Sequence, residues 1–264
     1  MLSDSILRSH LPVQGLGDPF YFTPVIGSTN QRAAELAAAG CPHGTLVVAD
    51  EQTAGRGRGA KRWWTTAGSG LALSLVLRPI SLAPPEARAL TALGTMAVVE
   101  AFEGLGVEAM IKWPNDVLVD ERKVAGILVE TSWLGEEVDH VVLGIGINVR
   151  PETVPQDVPL DYPATYLEAA VGDRVSRAPL LRSVLEGVAR WWPELSGDAF
   201  REAWERRLAF RGEQVEVEVA GRIVPGKLLG LTPDGMLLLE GLQGKGIEVN
   251  EAGSQLRPVD IGHE

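Results

Sequence analysis

One cysteine, Cys41, stands in a chain of 264 residues. An internal disulfide is therefore excluded, and with no Cys/His cluster anywhere a structural zinc site is not expected. Basic residues are also short, since 24 Lys and Arg face 35 Asp and Glu for a formal net charge of −11 and a pI near 4.9. Nucleic-acid backbones are held by clustered Lys and Arg, so this balance argues against a broad nucleic-acid surface, and any anion site has to be local. Long apolar runs are missing as well. The opening MLSDSILRSHLPVQ lacks the apolar stretch of a signal peptide, and no later stretch approaches the length of a membrane span. Together these lacks predict a soluble, cytoplasmic protein with no membrane or nucleic-acid partner. The histidines, His10, His43, His140 and His263, stand at no metal-ligand spacing and are assigned no role.

The length is enough to bury a large core, in one big domain or a main domain with a small appendage. Residues 28–40, STNQRAAELAAAG, carry helix punctuation at both ends: Ser28 with Gln31 forms a capping box, and Gly40 with Pro42 supplies the stop. TLVVA (45–49) and LALSLVL (71–77) are β-rich runs. From Pro84 to Gly106, residues such as Leu90, Leu93, Ala97, Val98, Ala101 and Phe102 recur at helical spacing. EAMIKW, VLVD, VAGILVETSW and HVVLGIGINV follow, separated by short turn formers, which predicts an antiparallel meander. Three helical stretches, near Ala164–Val171, Pro179–Trp192 and Asp198–Phe210, are expected to cover one face of that sheet. Beyond Arg211 the pattern changes to EQVEVEV, RIVPGKLLGLT, GMLLLEG and GIEVNE, short strands with a PDG turn between two of them. The fold class is thus α+β: a mixed, largely antiparallel sheet backed by helices over residues 1–210, then a small SH3-like β-barrel over residues 211–264.

Between the first two β-rich runs lies GRGRGAKRWW (55–64), with Arg56, Arg58, Lys61 and Arg62 close together. A basic run alone reads as a solvated face. The interspersed glycines change the weighting, because they let a backbone fold around an anion and present its N–H groups. The segment is neither a Walker A sequence nor a dinucleotide fingerprint. The second conspicuous stretch is KWPND (112–116), in which Lys112 shares a strand face with Met110. If that face is inward, the ammonium needs an anionic partner, and a ligand carboxylate or phosphate would serve. Taken alone, the pentapeptide is equally an exposed edge lysine before a turn. Asp116 is a candidate for holding Mg²⁺, although an Asp ending a turn is more often structural.

GSTN (27–30), EQTAGRGR (51–58), KWPND (112–116), KVAGILVE (123–130) and GIGINV (144–149) resemble, in order, the signature blocks of the biotin protein ligase family. The resemblance covers residues 22–150 strongly and the C-terminal unit more loosely. It implies a fold akin to the cores of class II aminoacyl-tRNA synthetases, with ATP, Mg²⁺ and biotin as ligands. It also implies two half-reactions: biotin and ATP give biotinyl-AMP, and a lysine of a biotin carboxyl carrier protein then takes the biotin. Matched to the family's motifs, Ser28, Thr29, Asn30, Gln52, Arg56, Gly57, Arg58 and Lys112 would contact biotin. Arg56, Arg58, Lys112, Asn115, Gly126, Asn148 and Arg257 would contact ATP or the adenylate. Lys112 and Arg58 would carry the catalysis.

Two departures stand out. Ala60 replaces the third glycine of the family's GRGRxGRxW loop, and Lys61 replaces its arginine, keeping the charge without the bidentate fork. The family's regulatory members also carry an N-terminal winged helix, whereas GSTN comes too early here to follow one, so a repressor role is not expected. A homodimer remains open. Within the same fold, a lipoate ligase or octanoyl transferase is the rival, with Cys41 as the sole candidate acyl carrier. From another class, a non-catalytic biotin-binding module is the rival, but a sensor of biotin alone would not need GRGR together with Lys112.

Overall fold

A computed structural model of the chain describes residues 2–78, 84–156, 158–219, 221–241, 244–250 and 255–259. His263, and the expected strand residue Glu251, lie outside that set. In chain order the elements are α1 (Asp4–Arg8), β1 (Phe20–Ile26), α2 (Thr29–Ala38), β2 (Leu46–Gln52), β3 (Gly70–Leu77) and α3 (Pro84–Glu103). Next come β4 (Met110–Lys112), β5 (Asp116–Val119), β6 (Arg122–Leu134), β7 (Glu137–Asn148), α4 (Leu167–Val171), α5 (Arg177–Trp191) and α6 (Asp198–Arg206). The last five strands are β8 (Gln214–Val219), β9 (Arg222–Leu231), β10 (Leu237–Glu240), β11 (Gly246–Val249) and β12 (Gln255–Pro258). Among the described residues no helix is long and apolar enough to cross a membrane.

The first seven strands form one sheet in the order β1-β2-β3-β7-β6-β5-β4. Only β1 and β2 run parallel; the pairs from β2 to β4 are antiparallel, so the sheet is mixed and largely antiparallel as expected. β4 to β7 form the predicted meander. β1 was not expected: Pro24 interrupts its FYFTPVI run, and proline is tolerated there because β1 is an edge strand. At the other edge, β4 is covered by the segment after α6, where Ile111 N donates to Arg207 O at 2.7 Å and Ala209 N to Ile111 O at 2.9 Å.

The period-two alternation along β3, β6 and β7 separates the two faces. Leu71, Leu73, Leu75 and Leu77 of β3 join Ile127 of β6 and Leu143, Ile145 and Ile147 of β7 on one face, under Leu90, Leu93, Met96 and Phe102 of α3 and Leu181, Val184 and Leu185 of α5. On the opposite face, Val47, Val76 and Val142 pack against Ala33 and Ala37 of α2 in a separate small cluster. Helices therefore lie on both faces: α5, from one of the three stretches expected to cover one face, packs beside α3, and α2 lies opposite. Ser28 caps α2 through its Oγ, which accepts from Gln31 N at 3.5 Å, but the box is only half made, because Gln31 Nε2 donates to Glu35 instead.

The remaining strands form a second antiparallel sheet, ordered β11-β10-β9-β8-β12. Its buried Val215, Val217, Leu228, Leu237, Leu239 and Leu256 are continuous with the main core through Trp204, Leu208 and Phe210. Among the described residues β11 and β12 are open edges, so the sheet is not closed as a barrel would be.

Candidate functional site

The face of the main sheet that carries α2 is bare where β3, β6 and β7 meet. Ala72, Gly146 and Gly126 stand in one row across the three strands, and Ser74, Gly144 and Leu128 in the next. Sequences such as GIGIN thus place isoleucine in the core and no side chain at all on the other face, leaving a trough. A Cβ on Gly144 would overlap the Asn30 carboxamide, and one on Gly146 would overlap the Trp63 indole. These strands, the start of α2, the basic segment and part of the loop before α4 enclose a cavity of about 810 Å³.

At one end of the cavity are neutral hydrogen-bonding groups. Ser28, Thr29 and Asn30 are all buried at the start of α2. Gln52 Oε1 accepts from Thr29 N at 2.8 Å and from Thr29 Oγ1 at 3.0 Å. Ser74 Oγ is 2.6 Å from Asn30 Oδ1 and 2.8 Å from Thr29 Oγ1, and its single proton serves one of them at a time. Asn30 Nδ2 in turn donates to Glu130 Oε2 at 2.9 Å.

The basic segment is a short ribbon. Arg56 pairs with Arg62 as an antiparallel bridge, Gly57 N donates to Lys61 O at 2.8 Å, and Trp63 N donates to Gly55 O at 3.0 Å. The tip turns at Gly59, whose φ of +66° suits glycine. Three ties hold the ribbon over the trough. Arg56 is paired with Glu130 at 2.7 Å, Lys61 with Asp161 at 3.0 Å, and Trp63 lies on the glycine floor.

At the cavity's other end two ammonium groups flank one carboxylate. Lys112 Nζ is 3.2 Å from Asp116 Oδ2, and Lys123 Nζ is 2.5 Å from Asp116 Oδ1. Lys112 also sits 4.6 Å from the centre of the Tyr162 ring, and Lys123 5.6 Å from that of Trp63. Burial pushes the Lys112 ammonium down; Asp116 pulls it back, Lys123 and Lys61 push it further, and the net is below the usual lysine range. For Asp116 burial acts upward, but the two lysines together outweigh it and hold the carboxyl below the usual carboxylate range. Two positive charges and one negative leave the group cationic, and it faces a cavity, so it suits an anionic ligand. The partner that Lys112 needed is therefore Asp116, whose two carboxylate oxygens face Lys112 and Lys123. No group of three His, Cys, Asp or Glu side chains that could hold a metal ion is found among the described residues.

Every site residue expected from the sequence lines this one cavity, including Gly57, Arg58 and, from β12, Arg257. Two of them serve the walls: Asn115 Nδ2 donates to Ile127 O at 3.0 Å and Asn148 Nδ2 to Thr165 O at 3.1 Å. Sequence reasoning missed Lys123, Trp63, Tyr162, Asp161 and Glu130. Lys123 stood in a matched block but was read as part of the DERK turn; the other four become neighbours only through tertiary packing. Cys41 does not line the cavity; it lies beyond the far end of α2, where its carbonyl accepts from Arg78 Nε.

A trough with a neutral relay at one end and a cationic group at the other suits a small organic acid, and the class of protein that this fold and site belong to is that of ligases acting on such acids. The sequence profile of the Biotin/lipoate A/B protein ligase family matches residues 22–148. The chain belongs to that family. It is 36% identical over 249 residues to the Bifunctional ligase/repressor BirA of Bacillus subtilis, covering 92% of this chain and 76% of that protein. It is 34% identical over 229 residues to the Biotin--[acetyl-CoA-carboxylase] ligase of Paracoccus denitrificans, covering 83% and 92%. Among solved structures it resembles the biotin protein ligase of Aquifex aeolicus in complex with biotin and ATP, with a TM-score of 0.76, 30% identity, and coverage of 90% of this chain and 98% of that one.

Proposed function

We propose that the protein joins biotin to ATP as biotinyl-5′-AMP and passes the biotin to a lysine of a carboxylase's biotin carboxyl carrier protein. The observation that carries this reading is the cationic Lys112–Asp116–Lys123 group facing the same trough as the neutral Thr29–Gln52–Asn30 relay. Biotin has a neutral ureido ring at one end and a carboxylate at the other, and the trough matches both. The ureido ring is bound by Ser28, Thr29, Asn30 and Gln52. The carboxylate reaches Lys112 and Lys123, where it meets the α-phosphate of ATP.

One anion attacking another needs positive charge where they meet. A carboxylate oxygen bonds to the α-phosphorus, pyrophosphate leaves with the electron pair of the broken P–O bond, and the mixed anhydride remains. Lys112, Lys123 and Arg58 steady the charge on the phosphoryl oxygens, and the ribbon screens the anhydride from water. The acceptor amine then attacks the biotinyl carbonyl, loses a proton and expels AMP. Residues 1–210 form the catalytic unit and residues 211–264 an SH3-like unit that contributes Arg257 to the nucleotide's side of the cavity.

Pyrophosphate release from ATP tests this reading. It should require biotin and not be supported by lipoate or octanoate, and preference for either of those acids would move the chain to the other branch of its family. The same assay gives a pH prediction. Since Lys112 loses its proton below the usual lysine range, the rate of adenylate formation should fall on the alkaline side below the usual lysine pKa of about 10.4. Asp116→Asn removes the anion that supports the charged form, so its profile should fall at lower pH still. An alkaline limb unmoved by that substitution would count against Lys112 as the titrating group.

A further inference from the structure

Glu130 belongs to none of the groups that touch a ligand in the reading above, yet it joins the two elements that must close on biotin. It lies on β6, on the trough side of the sheet, and opposite Val142 of β7. Its Oε2 accepts from Asn30 Nδ2 at 2.9 Å, and the Arg56 guanidinium spans both oxygens, Nη2 at 2.7 Å from Oε1 and Nη1 at 3.4 Å from Oε2. Asn30 has no freedom to turn, because Ser74 is on its Oδ1 and Leu128 O is 3.3 Å from its Nδ2. Arg56 is the ribbon residue that bridges to Arg62, so holding its side chain holds that limb.

We infer that Glu130 is a positioning residue for biotin: one carboxylate that orients Asn30 and latches the ribbon through Arg56. Arg56 then acts as a strut, and the cationic charge around the carboxylate and phosphate comes from Lys112, Lys123 and Arg58. A carboxylate is needed because a two-sided guanidinium contact and an amide contact have to be accepted at once. The pair is half exposed, with Arg56 at 51% and Glu130 at 31% side-chain exposure, so salt should reach and weaken it. The inference rests on the biotin reading.

The test compares the full-length chain with Glu130→Gln, Glu130→Leu, Arg56→Gln and the Glu130→Gln/Arg56→Gln pair, measuring KM for biotin and kcat of biotinyl-AMP formation at low and high NaCl. Glutamine keeps an acceptor for Asn30 but not the charge, so Glu130→Gln should raise the biotin KM about three- to tenfold, with a smaller fall in kcat. Glu130→Leu, which also leaves Asn30 Nδ2 with Leu128 O alone, should raise it further. On the Arg56→Gln background, Glu130→Gln should add nothing, and added salt should raise the wild-type KM while hardly moving that of Glu130→Gln. A merely structural glutamate would lower the thermal midpoint and the active fraction and leave KM where it was. That result, or additive effects of the two glutamine substitutions, overturns the inference. Wild-type chain that makes no biotinyl-AMP would overturn the biotin reading itself, an outcome distinct from wild-type activity with an unchanged Glu130→Gln.

Discussion

Lys112→Ala should slow biotinyl-AMP formation by about a hundred- to a thousandfold, the usual effect of deleting one preorganised group that stabilises transition-state charge. Lys112 is 7% exposed and 3.2 Å from Asp116, so its ammonium is fixed before substrate arrives and little reorganisation is needed during the reaction. Without it, Asp116 and Lys123 cancel and the cationic end of the trough becomes neutral. Biotin binding should suffer less, because the ureido end is held by other groups. Single-turnover formation of biotinyl-AMP, set beside equilibrium binding of biotin, separates the two. A variant that binds weakly but reacts at the normal rate once saturated would show that Lys112 contributes uniform binding instead. Lys112→Gln, which nearly preserves the volume, controls for packing damage.

Gly144→Ala should be nearly as damaging by a purely steric route. The new methyl would occupy the place of the Asn30 carboxamide, which cannot step aside without giving up Ser74, Leu128 O and Glu130 together. Overpacking of this sort costs about 1–3 kcal/mol. Urea unfolding should register a loss of that size. Displacing Asn30 also spoils the neutral end of the trough, so biotin affinity should fall about ten- to a hundredfold, at about 1.4 kcal/mol per factor of ten. Gly144→Ala with wild-type stability and affinity would mean that the strand or α2 shifts freely there.

Much of this was legible in the chain itself. The alternation in GIGIN is a strand pattern with glycine on every second position, and glycine where a side chain would normally cover the sheet signals that something else must lie there. Ser28, followed by a helical run, announced the capped end that reaches the trough. What could not be read was adjacency across long separations. Glu130 and Arg56 stand 74 residues apart, and Asn30 is 100 residues from Glu130. Nothing local in KVAGILVE distinguishes Glu130 from any strand-end glutamate on a solvated face. The pairing of Asp116 with Lys123 was hidden for a related reason: the two stand on neighbouring strands, and KWPND alone shows only the turn. β1 was hidden by Pro24, and the placement of α2 opposite α3 and α5 follows from crossover topology, which periodicity does not encode.

The central claim is tested most directly by mixing the purified chain with ATP, biotin and an isolated biotin carboxyl carrier domain and measuring the intact mass of that domain. The account predicts the addition of one biotinyl group on one lysine, dependent on ATP and abolished when that lysine is replaced by arginine. A carrier domain that stays unmodified while biotinyl-AMP accumulates, or one that is modified without ATP, would contradict it.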